Sequence, residues 1–140
     1  MSETGVITRP DPVPTQDSMF FWEAAERGEL MGQQCGECHA YLHPPRPMCP
    51  HCNSLNQKHV KLAGTGSIYS WVLPRHPQIP LFKYPLVTAL IDLDEGIRLL
   101  SNIVDCEIAD IKNSMRVGVR FEPTSGGKQV PVFAPLEKLE

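Results

Sequence analysis

The second half of the chain alternates apolar and polar residues with the two-residue period of β-strands. Five such runs are separated by turn-forming residues, and residues 107–113 have the spacing of one or two helical turns between the third and fourth runs. Five strands with a small helix between the third and the fourth is the order of an OB-fold barrel. We therefore predict a mainly β protein in which residues 63–140 form a five-stranded OB-fold. The predicted strands are residues 67–73, 86–93, 97–104, 117–121 and 129–133.

A short helix is predicted before these strands. Thr15, Asp17 and Ser18 offer N-cap oxygens, residues 19–27 continue with helical spacing, and Gly28 is a natural stop. We place an N-terminal helix within residues 15–29. Residues 1–14 are polar and interrupted by prolines, and we interpret them as an extended arm that is disordered or lies on a partner.

Three adjacent aromatic residues exceed what one narrow helix stripe can bury. Phe20, Phe21 and Trp22 are consecutive in the predicted helix. One interpretation is that the helix packs on the module that follows it. The other is that the same residues also contact a second chain, because aromatic residues are enriched at interfaces. The three residues are therefore candidates for a partner interface.

Four cysteines between residues 30 and 62 form a C-x2-C-x10-C-x2-C array. Two such hooks are the usual way to present four thiolates to one tetrahedral zinc ion, whereas a thioredoxin-type redox motif normally occurs singly. A closed set of four thiolates leaves no open position for water or substrate, so the zinc is predicted to be structural. A module of about 30 residues cannot bury enough apolar surface alone, so the metal is expected to supply much of its stability. The predicted ligands are Cys35, Cys38, Cys49 and Cys52.

Charge and composition narrow the function classes. With 13 basic and 16 acidic residues among 140, the formal net charge is -3, and no basic run is present. Binding to nucleic acid requires a basic footprint, and its absence makes a zinc-ribbon/OB protein that binds single-stranded nucleic acid the alternative interpretation only. Its candidate base-stacking residues are Tyr69, Trp71 and Phe82. Alternation would place Tyr69 and Trp71 on one strand face.

The cellular location is predicted from two absences and from the cysteine spacing. The chain has no apolar run of about 18 residues, and its first residues have neither a basic nor an apolar signal region. Four of its five cysteines have zinc spacing, which fits a reducing compartment better than a disulfide framework. We therefore expect a cytoplasmic protein.

Five segments carry a resemblance to a known family. They are residues 21–25 (Phe-Trp-Glu-Ala-Ala), 34–38, 44–52, 64–71 and 93–105, so the similarity covers most of the chain. The chain resembles the bacterial and archaeal family that joins a rubredoxin-like zinc ribbon to an OB-fold. The resemblance implies a non-catalytic accessory subunit of an acyl-CoA-processing complex. Its implied partner is a thiolase-family enzyme (a thiolase, a thiolase-like aldolase or an acyltransferase) or another acyl-CoA enzyme such as a hydratase, and the partner would carry the nucleophile and the base.

No catalytic centre is expected in the chain itself. Cys106 is the cysteine outside the array, and the acidic residues on both sides of it disfavour a reactive thiolate. Contact with an acyl-CoA ester would instead require cations for the phosphates. The candidates for that role are Arg46, which lies between prolines, and Arg75, His76 and Lys83, which lie in the proline-rich loop between the first two strands.

Overall fold

The predicted order of elements is confirmed in the computed structural model, which describes residues 9–80, 82 and 84–139. One helix, α1, precedes a three-stranded sheet with the order β2-β1-β3 and then a closed five-stranded barrel with the order β4-β5-β6-β8-β7. A 3-10 helix, Ile108–Asp110, lies between the third and fourth barrel strands, and a second one, Leu136–Leu139, follows the last strand. The bounds are α1 Met19–Glu26, β1 Met31–Cys35, β2 Tyr41–Leu42, β3 Gln57–Lys61, β4 Thr65–Val72, β5 Val87–Leu93, β6 Arg98–Ile103, β7 Arg116–Pro123 and β8 Gln129–Pro135.

The barrel closes through one parallel contact. Its neighbouring strands are antiparallel except for β6 and β8, which pair in parallel at Ile103 and Phe133. Inward residues alternate along each strand, as the sequence period predicts. Ile68, Ile91, Val117 and Phe133 are almost completely buried and form the centre of the core. The predicted OB-fold is therefore present.

A β-bulge changes the face of one predicted aromatic residue. The register between β4 and β5 shifts between Ile68 and Ser70, so Tyr69 is the extra residue. Its ring is half exposed and lies 3.6 Å from the Arg98 guanidinium on the outside of the barrel. Trp71 packs against the core instead. The prediction that Tyr69 and Trp71 share one face was wrong, because simple alternation does not hold across a bulge.

The helix and the base of the ribbon share the core of the barrel. Leu30 and Leu62, at the two ends of the ribbon, are buried in the same cluster as the barrel residues. Phe20 stacks on His59 of β3, with ring centroids 3.7 Å apart. The Gln129 side chain donates to the carbonyl oxygens of the last turn of α1. These contacts fix the ribbon and α1 against the barrel. Within the described part of the chain, no helix has the length and apolar character needed to cross a membrane.

Candidate metal centre and adjoining groove

The two cysteine hooks face each other at one end of the ribbon. The first begins at the end of β1, and the second lies in the loop between β2 and β3. The four Sγ atoms lie within 4.8 Å of one another. The Cys35–Cys52 and Cys38–Cys49 Sγ pairs are 3.5 and 3.6 Å apart. Zinc–sulfur bonds of about 2.3 Å in a tetrahedron require sulfur–sulfur distances of about 3.8 Å. The donor set therefore fits a zinc ion.

Backbone N–H groups support the sulfur atoms in both hooks. The amides of Glu37 and Cys38 lie 3.4 and 3.5 Å from Cys35 Sγ, and the His51 amide lies 3.4 Å from Cys49 Sγ. The Cys38 amide is the main reason that the pKa of Cys35 falls to about 6. Although the Ser54 amide lowers the pKa of Cys52, burial and the three neighbouring thiols raise it to about 12. A bound cation would favour the ionised form of all four thiols.

The metal end of the ribbon has little apolar core of its own. Cys35, Leu42 and Cys49 form a small buried cluster that is separate from the main core. Cys38 and Cys52 are exposed, so the site lies at the surface of the ribbon. When bound, zinc would supply the cross-link between the hooks that side-chain packing does not provide.

A buried glutamine holds the loop that leads into the second hook. Gln33 on β1 is 2% exposed. Its Oε1 accepts from the Arg46 amide at 2.8 Å, and its Nε2 donates to the Arg46 carbonyl at 2.7 Å and to Gln57 Oε1 at 2.7 Å. One side chain thereby holds both backbone polar groups of Arg46. Sequence reasoning missed Gln33, because the residue has no motif and its importance depends on a contact 13 positions away.

A groove of about 530 Å³ lies where the ribbon, α1 and the barrel meet. Its walls are residues 9–13, the loop at 43–45, the strand segment 99–102 on β6 and the start of β8. Phe82 from the β4–β5 loop also lines it. His43 lies in this wall with its ring 5.8 Å from the Phe21 ring, and burial lowers the pKa of His43.

The predicted phosphate-contacting cations lie outside this groove wherever the structure describes them. Arg46, Arg75 and His76 are exposed, and none of the three lines the groove, although Pro44 and Pro45 beside Arg46 do. Lys83 lies outside the described residues. Contact of the four residues with CoA stays a prediction.

The three aromatic residues of α1 have different surroundings. Phe21 is buried in the main core. Phe20 is half-buried against His59, and Trp22 is half-buried, meets Phe21 edge-on at 4.8 Å and lines the groove. Their contact with a partner chain also stays a prediction. Cys106 is half-buried, and its thiol donates to the Glu107 carbonyl at 3.5 Å.

Comparison with known proteins identifies both modules. Residues 22–56 match the family model of the ChsH2 rubredoxin-like zinc ribbon domain, and residues 59–122 match that of the ChsH2 C-terminal OB-fold domain. A solved structure described as an Ltp2-ChsH2(DUF35) aldolase contains a chain with 38% sequence identity and a TM-score of 0.84. The match covers 89% of this chain and 98% of that chain.

Curated relatives fall into two groups of different length. A DUF35 domain-containing scaffold protein of Pyrococcus furiosus is 34% identical over 74% of this chain and 76% of its own length. A probable enoyl-CoA hydratase alpha subunit of Thermomonospora curvata is 39% identical over 94% of this chain. A 3-oxo-4,17-pregnadiene-20-carboxyl-CoA hydratase alpha subunit of Mycobacterium tuberculosis is 30% identical over 79% of this chain. This chain spans only 41% and 35% of those two subunits. The nucleic-acid alternative is not favoured by these relatives.

Proposed function

Because the chain belongs to the DUF35 family of ChsH2-type zinc-ribbon and OB-fold proteins, we propose that it is a non-catalytic accessory subunit of an acyl-CoA-processing complex. The observation that carries the proposal is its similarity to the ChsH2(DUF35) chain of a solved aldolase, which extends over 98% of that chain. The names of the two hydratase alpha subunits also point to acyl-CoA chemistry. We propose a thiolase-family enzyme, most specifically a thiolase-like aldolase, as the partner.

In this proposal the zinc ribbon has a structural role in assembly. The four cysteines hold zinc, the zinc joins the two hooks, and Gln33 fixes the loop between them. The ribbon is in turn attached to the barrel through Leu30 and Leu62. A surface built from a metal-fixed ribbon and a closed barrel presents its contact residues with little loss of conformational entropy on binding.

We further propose that the acyl-CoA ester is bound by the four predicted cations, Arg46, Arg75, His76 and Lys83. Arg46 has a backbone fixed by Gln33 and an exposed side chain, which suits a guanidinium that contacts a phosphate. Arg75, His76 and Lys83 belong to the β4–β5 loop, one of the loops with which OB-folds commonly contact ligands. Phe20 and Trp22, the half-buried aromatic residues of α1, are the proposed partner contact, and Phe21 supports them from the main core. Trp22 is the most testable of the three.

Co-expression with an Ltp2-type aldolase tests the proposal. The tagged chain should retain the aldolase through purification, and the complex should cleave an acyl-CoA aldol adduct. The cleavage is measured by chromatography of the released thioester. The purified chain alone should give no turnover. Turnover by the chain alone would contradict the accessory role, and failure to retain any acyl-CoA enzyme would contradict the partner assignment.

Two substitutions separate the CoA contact from the assembly role. Arg46→Ala and Lys83→Ala should each raise the KM for the acyl-CoA ester, by about tenfold if a charge-assisted hydrogen bond is lost, and leave the complex intact. Arg27→Ala is the matched control, since Arg27 is exposed and pairs with Glu29 just after α1. An unchanged KM in both variants would contradict the proposed contact with CoA but not the accessory role.

A further inference from the structure

We infer that the barrel face formed by β6 and the β4–β5 and β7–β8 loops is a binding site for an extended proline-containing peptide, occupied here by the chain's own residues 9–13. OB-folds commonly bind ligands with the same loops and the equivalent strand. Residues 9–13 line the groove opposite residues 99–102 of β6. The face is therefore covered by a segment of the same chain.

Arg9 is the main anchor of this segment. Its side chain is only 14% exposed, and its Nε donates to Glu122 Oε1 at 3.1 Å. Its Nη1 donates to Asn102 Oδ1 at 2.5 Å. The Asn102 amide nitrogen donates to the Val87 carbonyl at 3.0 Å, which turns the Asn102 oxygen toward Arg9. The guanidinium also lies 6.0 Å from the centre of the Phe82 ring. The face thus recognises a guanidinium on two sides with preformed acceptors.

Asp11 supplies a second, complementary contact at the β7–β8 loop. The Gly126 amide donates to Asp11 Oδ1 at 2.8 Å, and with the Thr124 hydroxyl it holds the pKa of Asp11 below its usual value. A methyl group at Gly126 would collide with the Asp11 carboxylate. Between these side chains, the Arg9 carbonyl accepts from the Ser125 amide at 2.8 Å.

The occupying segment has the chemistry of a recognition peptide. Its sequence is Arg-Pro-Asp-Pro-Val, with the cation and the anion two positions apart. Pro10 and Pro12 fix the backbone dihedral φ, so less conformational entropy is lost on binding than for a flexible segment. The barrel binds this segment through the Arg9 carbonyl and the side chains of Arg9 and Asp11. The two prolines line the groove and provide apolar contact.

The test uses a fluorescent peptide of residues 8–14 and full-length protein variants. The wild-type chain should bind the peptide weakly, because its tethered segment competes at a high effective concentration. Full-length protein with Arg9→Ala and Asp11→Ala should release its own segment and bind the peptide about tenfold or more tightly than the wild type. Adding Gly126→Ala to that variant should weaken binding, because the added methyl group displaces the carboxylate of the peptide's aspartate from the Gly126 amide. The charge-matched control is Arg27→Ala with Glu29→Ala, which removes one cation and one anion of an exposed ion pair and should behave as the wild type.

Hydrogen exchange locates the site independently. The Ser125 and Gly126 amides should exchange slowly in the wild type, quickly in the double variant, and slowly again when the peptide is added. Equal peptide affinity in the wild type and the double variant would overturn the inference, as would unchanged exchange at the two amides. Absence of peptide binding to a folded, zinc-loaded double variant would do the same. Acyl-CoA turnover by the complex tests the proposed accessory role, and its loss would neither support nor contradict peptide binding.

Discussion

Replacement of Cys49 by Ser should open the metal end of the ribbon and leave the barrel folded. Cys49 is completely buried and its Sγ lies 3.6 Å from that of Cys38. A serine hydroxyl at this position is not ionised near neutral pH and is a poor zinc ligand. Among the described residues, Cys49 shares the small buried cluster at this end with Cys35 and Leu42 alone. With the cross-link weakened, little side-chain packing holds residues 35–56 in place.

The size of the effect follows from the number of ligands. Structural zinc binding contributes about 10–16 kcal/mol in zinc-finger peptides. If four ligands share this free energy equally, losing one removes about 2.5–4 kcal/mol. That corresponds to zinc affinity weaker by about two to three orders of magnitude. A loss of this size is a large fraction of the stability of an ordinary domain, which is about 5–15 kcal/mol.

The assay combines zinc content with hydrogen exchange measured by mass spectrometry. After dialysis against a chelator, Cys49→Ser should lose zinc at chelator concentrations that leave the wild type loaded. Peptides within residues 35–56 should lose protection, whereas peptides from β5 and β6 should keep it, because their residues belong to the main core. Cys106→Ser is the matched control, since it removes a cysteine outside the zinc set and should behave as the wild type.

Two results would refute this reasoning. One is a Cys49→Ser protein that keeps wild-type zinc affinity and unchanged protection over residues 35–56. The other is loss of protection across β5 and β6 to the same extent as in the ribbon. The second result would mean that ribbon and barrel unfold as one unit and that the zinc supports the entire fold.

Three further changes test packing and electrostatics. Gly66→Ala would drive a methyl group against the Asp92 carbonyl on β5, so we expect a loss of about 1–3 kcal/mol in urea unfolding; a smaller change would mean that the strands can separate there. Gln33→Leu should cost about 2–4 kcal/mol and weaken zinc retention, because it leaves buried backbone groups without partners; wild-type zinc retention would contradict the clamp. The Arg116 and Thr65 hydrogen bonds lower the pKa of Asp94 from 3.8 to about 2, so the unfolded chain binds the proton first on acidification. The stability that this carboxylate adds, about 0.5–1 kcal/mol for so exposed a pair, should be present above pH 4 and decline toward pH 2, and Asp94→Asn should remove that dependence.

Local patterns in the sequence were sufficient for the metal centre and the strand order. The cysteine spacing fixes a ligand set without further information, and the predicted helix at 19–27 is found as Met19–Glu26. The predicted helical turn within residues 107–113 is found as the 3-10 helix Ile108–Asp110. These features depend on residues that are near each other in the chain. Their physical causes, periodic burial and metal-ligand spacing, are visible in a short window.

Features that depend on distant contacts could not be predicted. The bulge at Tyr69 has no local signature, because it reflects how β4 and β5 fit each other. Arg9 meets Glu122, a residue 113 positions away. The clamp by Gln33 and the buried side of the α1 aromatic cluster likewise depend on the assembled fold. The arm at residues 1–14 was predicted to be disordered or to lie on a partner. Within it, Arg9 and Asp11 bond to the barrel of their own chain, and residues 1–8 lie outside the described residues.

The accessory role is tested by titrating the purified chain into an Ltp2-type aldolase and measuring acyl-CoA aldol cleavage. A non-catalytic accessory role predicts that cleavage rises with added chain, saturates at a fixed stoichiometry and is absent when the chain is supplied without the aldolase. It also predicts that Cys49→Ser protein fails to raise the rate at the same concentrations. Cleavage by the chain alone, or an aldolase rate that the chain does not change, would contradict the account.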